Sequence, residues 1–126
     1  MSGAKILVVE DNPKNMKLVR DVLQATGYRT LEATTGERAV ELAAEHRPDL
    51  VLMDIQLPDV DGVETLGRLR AHESTAAIPV LALTAQAMDG DRERFLAAGF
   101  DGYLSKPVDI AELVAIVNQH CGGRGR

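Results

Sequence analysis

Short runs of consecutive apolar residues alternate along the chain with segments in which apolar residues recur every three or four positions. The clearest runs are residues 6–9, 50–53 and 79–83. A run that is apolar on both faces and too short for a helix is typical of a central strand in a parallel sheet, covered by helices on both sides. Residues 28–33 alternate more weakly and residues 102–104 are few, which predicts two edge strands.

Helix signals lie between these runs. Asn12 before Pro13 predicts an N-cap followed by a proline at the first helical position, and Gly27 predicts where that helix ends. Two pairs have the spacing of a capping box and predict two further helix starts. They are Thr34 with Glu37, and Asp109 with Glu112.

Two more helices complete the pattern. One opens at Gly62, and another contains Phe95 with Leu96 and ends near Gly99. Helical spacing predicts which side chains face the sheet. Those expected to be buried are Val63, Leu66 and Leu69 in the third helix and Ile110, Leu113, Val114 and Val117 in the last.

Five strands alternating with five helices predict an α/β domain with a doubly wound parallel sheet and helices on both faces. The 126-residue length fits one domain. We expect it to occupy residues 1–121. The glycine-rich residues 122–126 are expected to form a flexible tail, or the stub of a linker to another domain.

Charge and cysteine content narrow the function. The net charge of −5 disfavours nucleic-acid binding, which needs a basic face. No apolar run approaches the roughly 20 residues of a membrane span, and no signal peptide is recognisable. The single cysteine, Cys121, excludes an internal disulfide and a cysteine-rich metal site. These features predict a cytoplasmic protein that contacts neither membrane nor nucleic acid.

Polar residues follow four of the predicted strands. Glu10 and Asp11 end the first, Asp54 the third, Thr84 the fourth, and Lys106 closely follows the fifth. In such sheets functional groups collect at the carboxyl ends of the strands. We therefore expect three carboxylates, one hydroxyl and one ammonium to meet at one edge.

This combination predicts a metal site and a phosphoryl acceptor. Three carboxylates repel one another, and Lys106 offsets only one charge. A hard divalent cation such as Mg²⁺ would offset two more, and Mn²⁺ could replace it. Asp is an established phosphoryl acceptor, so Asp54 is the candidate nucleophile. The metal, Lys106 and the Thr84 hydroxyl could each neutralise one phosphoryl oxygen.

The chain, from about residue 5 to 120, resembles the receiver domain of two-component response regulators. The stretches that carry the resemblance are ILVVEDN, PDLVLMDIQLPDVDG, IPVLALTA and YLSKP. The segments that are most similar to single-domain regulators of the DivK type are NMKLVRDVLQATGY, LMDIQLP and AMDGDRER. The resemblance implies a strand order of 2-1-3-4-5.

It also implies roles for the acidic residues. Asp54 would receive a phosphoryl group from a phosphohistidine on a histidine kinase or a histidine phosphotransfer protein. Asp11 would bind Mg²⁺ directly, Glu10 would bind it through water, and the backbone carbonyl of Gln56 would complete the protein ligands.

Further roles concern switching. Thr84 and Lys106 would contact the phosphoryl group, the Lys106–Pro107 peptide bond would be cis, and Tyr103 would be the switch aromatic. A downstream protein would bind at the fourth helix, fifth strand and fifth helix, which include residues 88–91. Gln86 and Gln56 stand at positions that tune hydrolysis of the phosphoaspartate.

Other functions remain as alternatives. A Mg²⁺-dependent aspartyl-phosphate phosphohydrolase would typically carry an acid at the position of Gln56, and a flavin carrier would need a phosphate-cradling loop in place of residues 10–13. The chain could also be an unphosphorylated scaffold, or a receiver domain from a hybrid histidine kinase. Asp59 could strengthen the acidic edge, whereas Asp61 could equally cap the helix that follows it.

Overall fold

The computed structural model of this chain describes residues 4–85 and 91–122. Within these residues, five strands alternate with five helices. The strands are β1 (Lys5–Val9), β2 (Arg29–Ala33), β3 (Leu50–Asp54), β4 (Val80–Thr84) and β5 (Gly102–Ser105). The helices are α1 (Pro13–Ala25), α2 (Gly36–His46), α3 (Gly62–Ala71), α4 (Asp91–Ala98) and α5 (Ile110–Val117). A π-helical turn, Asn118–Gly122, continues α5.

All strand pairs are parallel, and the sheet order is β2-β1-β3-β4-β5, which confirms the predicted fold. The last four residues of β1 and all of β3 and β4 are buried, as expected for strands covered on both faces. Alternate side chains enter two separate cores. Ile6 and Leu52 lie in one core, whereas Leu7 and Met53 lie in the other.

Local capping signals placed most helix starts correctly. The Asn12 side chain accepts hydrogen bonds from the backbone N–H groups of Lys14 and Asn15, 2.9 and 3.2 Å away. Asp61 caps α3 and Asp109 caps α5, each by accepting from the backbone N–H three residues later. These side chains satisfy donors that have no partner within the helix.

The predicted start of α2 was wrong by one residue. Thr35, not Thr34, is the N-cap, and its hydroxyl accepts from the backbone N–H of Arg38 at 3.1 Å. The first two helical N–H groups, of Gly36 and Glu37, donate to Asp59 of the distant β3–α3 loop. The cap is completed by a carboxylate that is distant in sequence. The local spacing of Thr34 and Glu37 could not indicate such a partner, and it pointed to the wrong N-cap residue.

Some predicted core positions are instead exposed. Val63 and Ile110 are 43% and 53% exposed. Helix α3 buries Gly62, Thr65, Leu66 and Leu69, and this stripe runs beside Val63 rather than through it. Ile110 is the first residue of α5, one turn before the buried pair Leu113 and Val117.

None of the helices within 4–85 and 91–122 combines the length and the apolar character that crossing a bilayer would require. Of the expected tail, residues 122–126, Gly122 belongs to the π-helical turn and residues 123–126 lie outside the described residues. Gln86 and residues 88–90 of the expected docking segment lie outside them as well.

Candidate functional site

The sheet register brings the predicted site residues to one edge. Val9 on β1 pairs with Met53 on β3. Glu10 and Asp54 are the next residues along these two neighbouring segments. Asp54 pairs with Leu83, and Thr84 comes next on β4. Carboxylate oxygens of Glu10, Asp11 and Asp54 all lie within 4.8 Å of one another. Glu10 and Asp54 are buried, whereas Asp11 is exposed to solvent.

Lys106 bridges the two buried carboxylates. Its Nζ lies 2.8 Å from Glu10 Oε1 and 2.9 Å from Asp54 Oδ2. Burial alone would lower the pKa of the Lys106 ammonium, but its hydrogen bonds to Glu10 and Asp54 outweigh that effect and raise it. Lys106 is therefore held as a cation beside both carboxylates.

Glu10 remains short of positive charge. Burial raises the pKa of its carboxyl group above the ordinary value of 4.5, and the neighbouring Asp54 adds to the increase. Hydrogen bonds from Lys106 and from the Asn12 backbone work in the opposite direction without cancelling it. The surrounding described residues therefore compensate the negative charge of Glu10 only in part.

Backbone amides orient both buried carboxylates. The N–H of Asn12 donates to Glu10 Oε2 at 3.1 Å, and the N–H of Gln56 donates to Asp54 Oδ1 at 3.0 Å. Each donor lies two residues after its acceptor, and for Asp54 this is the local pattern that Asx side chains favour in turns. The sequence analysis missed these bonds because a backbone donor leaves no signature in residue type.

The donor set fits a hard divalent cation. Oxygen atoms of three carboxylates face one another, and within the cluster Lys106 supplies a single positive charge. Mg²⁺ binds through one or two carboxylates and keeps several waters, which suits a cluster in which Asp11 is solvent-exposed. Gln56, whose backbone carbonyl is the fourth predicted ligand, lies in the adjoining loop after β3.

The remaining predicted residues surround this cluster. Thr84 is buried, and its carbonyl accepts from the backbone N–H of Lys106 at 2.7 Å. The Lys106–Pro107 peptide bond is cis. Tyr103 is half-buried, pairs with Ala82 across the sheet, and packs its ring 6.0 Å from that of Phe95.

Two acidic residues have other roles. Asp59 is not part of the acidic cluster. Its carboxylate oxygens accept hydrogen bonds from the backbone N–H groups of Gly36 and Glu37, at 2.8 and 3.0 Å. Those bonds lower the pKa of Asp59 to about 2. Asp61 is the N-cap of α3. The acidic edge is therefore formed without them.

A groove opens beside β5, away from the acidic cluster. It has a volume of about 440 Å³. Its lining comes from α4, β5 and α5 and includes Leu96, Tyr103, Glu112 and Ile116. This is the face on which a downstream protein was expected to bind.

Comparisons with known proteins agree with this geometry. Residues 6–118 match the family model of the response regulator receiver domain. The polar-differentiation response regulator DivK of Brucella anthropi is 45% identical over 117 residues, which cover 93% of this chain and 95% of the relative. The Brucella ovis protein of the same name is equally similar.

Solved structures show the same fold. The receiver domain of a Pseudomonas aeruginosa sensor histidine kinase, with a magnesium ion coordinated in its active-site cleft, superposes with a TM-score of 0.87 at 42% identity. The alignment covers 95% of this chain and 98% of that domain. A response regulator from Chloroflexus aurantiacus gives a TM-score of 0.87 at 32% identity, covering 93% and 96%. This chain therefore belongs to the response regulator receiver domains of two-component signalling systems.

Proposed function

We propose that this receiver domain accepts a phosphoryl group on Asp54, in a Mg²⁺-dependent transfer from a phosphohistidine, and that the modification switches a protein-binding surface. The donor would be a histidine kinase or a histidine phosphotransfer protein. The observation that carries the proposal is the buried Asp54 carboxylate, held by Lys106 and grouped with Glu10 and Asp11.

The chemistry is a substitution at phosphorus. A carboxylate oxygen of Asp54 forms a bond to phosphorus while the P–N bond of the phosphohistidine breaks, and its electron pair returns to the imidazole. Lys106 and the Thr84 hydroxyl would neutralise charge on the phosphoryl oxygens. Glu10, Asp11, Asp54 and the Gln56 carbonyl would hold Mg²⁺, which when bound supplies further positive charge for the transferred group.

The output would be a change in the groove beside β5. Tyr103 lines this groove while its ring packs on Phe95, so a rotation of the ring would alter the groove's shape. Leu96, 42% exposed at the same groove, offers an apolar contact for a protein partner. A phosphoryl group shifts this equilibrium only if it binds one conformation more tightly than the other.

The acceptor and the metal requirement can be tested together by intact-mass measurement after incubation with acetyl phosphate. Wild type with Mg²⁺ should gain one phosphoryl group, whereas Asp54→Asn with Mg²⁺ and wild type with a chelator should not. An adduct that persists in Asp54→Asn would mean that another residue is the acceptor.

Rapid hydrolysis could hide the adduct, so beryllofluoride provides the second arm. It mimics a bound phosphoryl group and does not hydrolyse at the carboxylate. We expect Mg²⁺-dependent beryllofluoride binding to wild type and none to Asp54→Asn. If wild type neither gains a phosphoryl group nor binds beryllofluoride, an unphosphorylated scaffold becomes the better explanation.

The biological setting follows from similarity. We propose that residues 1–121 form a receiver domain organised like the Brucella DivK proteins, which are matched over 95% of their own length. The same similarity favours a role in polar differentiation. A histidine kinase acting solely in an unrelated stress pathway, found to be the sole phosphodonor in cells, would contradict that role.

A receiver domain within a hybrid histidine kinase is the second candidate, favoured by the 42% identity to such a domain. The length of the protein detected in cell extracts with a specific antibody would distinguish the two. A species near 13.6 kDa supports the stand-alone protein, and a much larger one supports the hybrid kinase.

A further inference from the structure

The loop that joins β3 to α3 is attached to a helix that contributes nothing to the acidic cluster. Asp59, in the middle of this loop, accepts one hydrogen bond on each carboxylate oxygen from the first two backbone N–H groups of α2. The partners lie 22 and 23 positions away along the chain. The loop is therefore tied across the surface as well as at its two ends.

Close packing surrounds this attachment. A Cβ added to Gly36 would lie 2.3 Å from Thr65 Oγ1 and 2.5 Å from Val60 Cγ2, so only glycine allows α2 to approach the loop this closely. At the other side of the loop, the Gly62 N–H donates to the Ile55 carbonyl at 2.8 Å. The segment from Ile55 to Gly62 is thus a closed loop with a second anchor at Asp59.

The same loop serves the acidic cluster directly. Gln56 donates its backbone N–H to Asp54 Oδ1, and its carbonyl is the proposed backbone ligand of the metal. Gln56 is exposed, so burial of its own side chain does little to hold the peptide in place. Its position depends on the anchors of the loop on either side.

We propose that Asp59 is a positioning residue for the metal site: by tying the β3–α3 loop to the N-terminus of α2, it holds the Gln56 peptide where it can serve Asp54 and the metal. This inference rests on the proposed Mg²⁺-binding function. Breaking the attachment should weaken Mg²⁺ binding although no metal ligand has been changed. Outer-shell groups of metal sites commonly affect affinity by about tenfold or more.

The test is direct measurement of Mg²⁺ affinity by isothermal titration calorimetry on the full chain, without phosphodonor. Three variants are compared with wild type: Asp59→Ala, Asp59→Asn and Thr35→Ala. We expect Asp59→Ala to weaken Mg²⁺ binding about tenfold. Asp59→Asn should be intermediate, because its amide oxygen can still accept one of the two hydrogen bonds.

Thr35→Ala is the matched control. It removes the side-chain cap of the same helix, from a residue outside the loop. Its Mg²⁺ affinity should stay within about twofold of wild type, since the Asp59 attachment is kept. Circular dichroism checks that each variant is folded at the titration temperature. If Asp59→Ala is unfolded there, the comparison of Asp59→Asn with wild type provides the test.

The outcomes separate the possible explanations. Equal loss in Asp59→Asn and Asp59→Ala would show an effect of charge alone and overturn the inference. Equal loss in Thr35→Ala would attribute the effect to helix stability and overturn it as well, as would wild-type affinity in both Asp59 variants. If wild type itself binds no Mg²⁺, the proposed function fails instead.

Discussion

At the scale of single residues, Glu10 shows how the site is balanced. Its carboxyl is 1% exposed and touches a lysine, yet its pKa is raised because burial and Asp54 outweigh that contact. A buried carboxylate with a purely structural role normally has ion pairs and hydrogen bonds that offset the cost of burying its charge. The imbalance is understandable if the native environment of Glu10 includes a further cation.

Glu10→Gln tests this balance without a phosphodonor. Because the folded-state pKa is raised, the folded protein binds more protons than the unfolded chain between the two pKa values, so stability falls as pH rises above about 4.5. We expect Glu10→Gln in a chelator to raise Tm at pH 7.5 by about 2–4 °C. The gain should shrink as pH falls toward 4.

Thermal unfolding by circular dichroism at several pH values measures this difference. The variant Glu41→Gln, which alters an exposed acid in a surface ion pair with Arg38, serves as the control and should change Tm little at any pH. A Tm for Glu10→Gln below that of wild type at pH 7.5 would show that the Glu10 charge stabilises the metal-free protein.

Asp59 has the opposite pH behaviour. Backbone N–H groups of Glu37 and Gly36 lower its pKa from 3.8 to about 2, so its contribution to stability is present above the unfolded value and is lost as pH falls through 2. Asp59→Asn should therefore lower Tm at pH 6 and approach wild type near pH 2. A Tm difference that is the same at both pH values would contradict this account.

At the scale of helices and strands, sequence patterns predicted what depends on neighbouring residues. The apolar runs located all three central strands, and Asn12, Asp61 and Asp109 cap the helices that follow them. The polar residues at the strand ends met as expected because parallel strands share a direction. That rule brought Glu10, Asp11 and Asp54 together.

Contacts between distant segments were beyond the reach of those patterns. Nothing in the spacing of residues indicated that Asp59 would complete the cap of α2, and the local Thr34–Glu37 spacing pointed to the wrong threonine. Val63 proved exposed because it lies beside the buried stripe of α3, and Ile110 because it precedes the buried residues of α5 by one turn. Periodicity gives a face only to within a residue.

Arg70 also makes long-range contacts. They join α3 to the segments just before β4 and β5. Its guanidinium donates to the carbonyls of Ala76, Ile78 and Gly99 and to the Asp101 carboxylate. Asp101 also accepts from the backbone N–H of Val80 at 2.8 Å. A planar group with several fixed donors is suited to such a junction, and a lysine ammonium is not.

We therefore expect Arg70→Lys to lower the free energy of unfolding by about 1–2 kcal/mol, measured in urea. Arg68→Lys is the matched control, because Arg68 lies two positions before Arg70 in the same helix and makes an exposed ion pair with Glu64. That change should cost less than about 0.5 kcal/mol. Equal effects of the two substitutions would show that the Arg70 contacts add little beyond surface charge.

At the scale of the whole molecule, the sheet separates two cores, and the acidic cluster lies at the edge they share. Glu10 follows β1, Asp54 ends β3, and Lys106 follows β5, so three strands must keep their register for the site to exist. The unfolded chain has no reason to bring these groups together. Metal binding should therefore be coupled to global folding.

This coupling gives a final prediction. A ligand that binds the folded state alone stabilises it by RT ln(1 + [L]/Kd), or about 2.7 kcal/mol at a concentration of 100 Kd. Mg²⁺ should raise the Tm of wild type progressively through the range of its Kd. Asp11→Asn should largely abolish this increase, because Asp11 is the exposed carboxylate of the cluster and its loss removes a proposed metal ligand without opening the core.

Differential scanning fluorimetry over a Mg²⁺ series measures the shift, with Na⁺ at matched ionic strength separating site binding from general screening. Asp21→Asn is the control variant, since Asp21 is an exposed acid paired with Lys17 on α1 and lies outside the cluster. It should keep the full Mg²⁺ response. A response that survives in Asp11→Asn, or that Na⁺ reproduces, would contradict binding at the Glu10–Asp11–Asp54 cluster and locate the stabilisation elsewhere on this acidic surface.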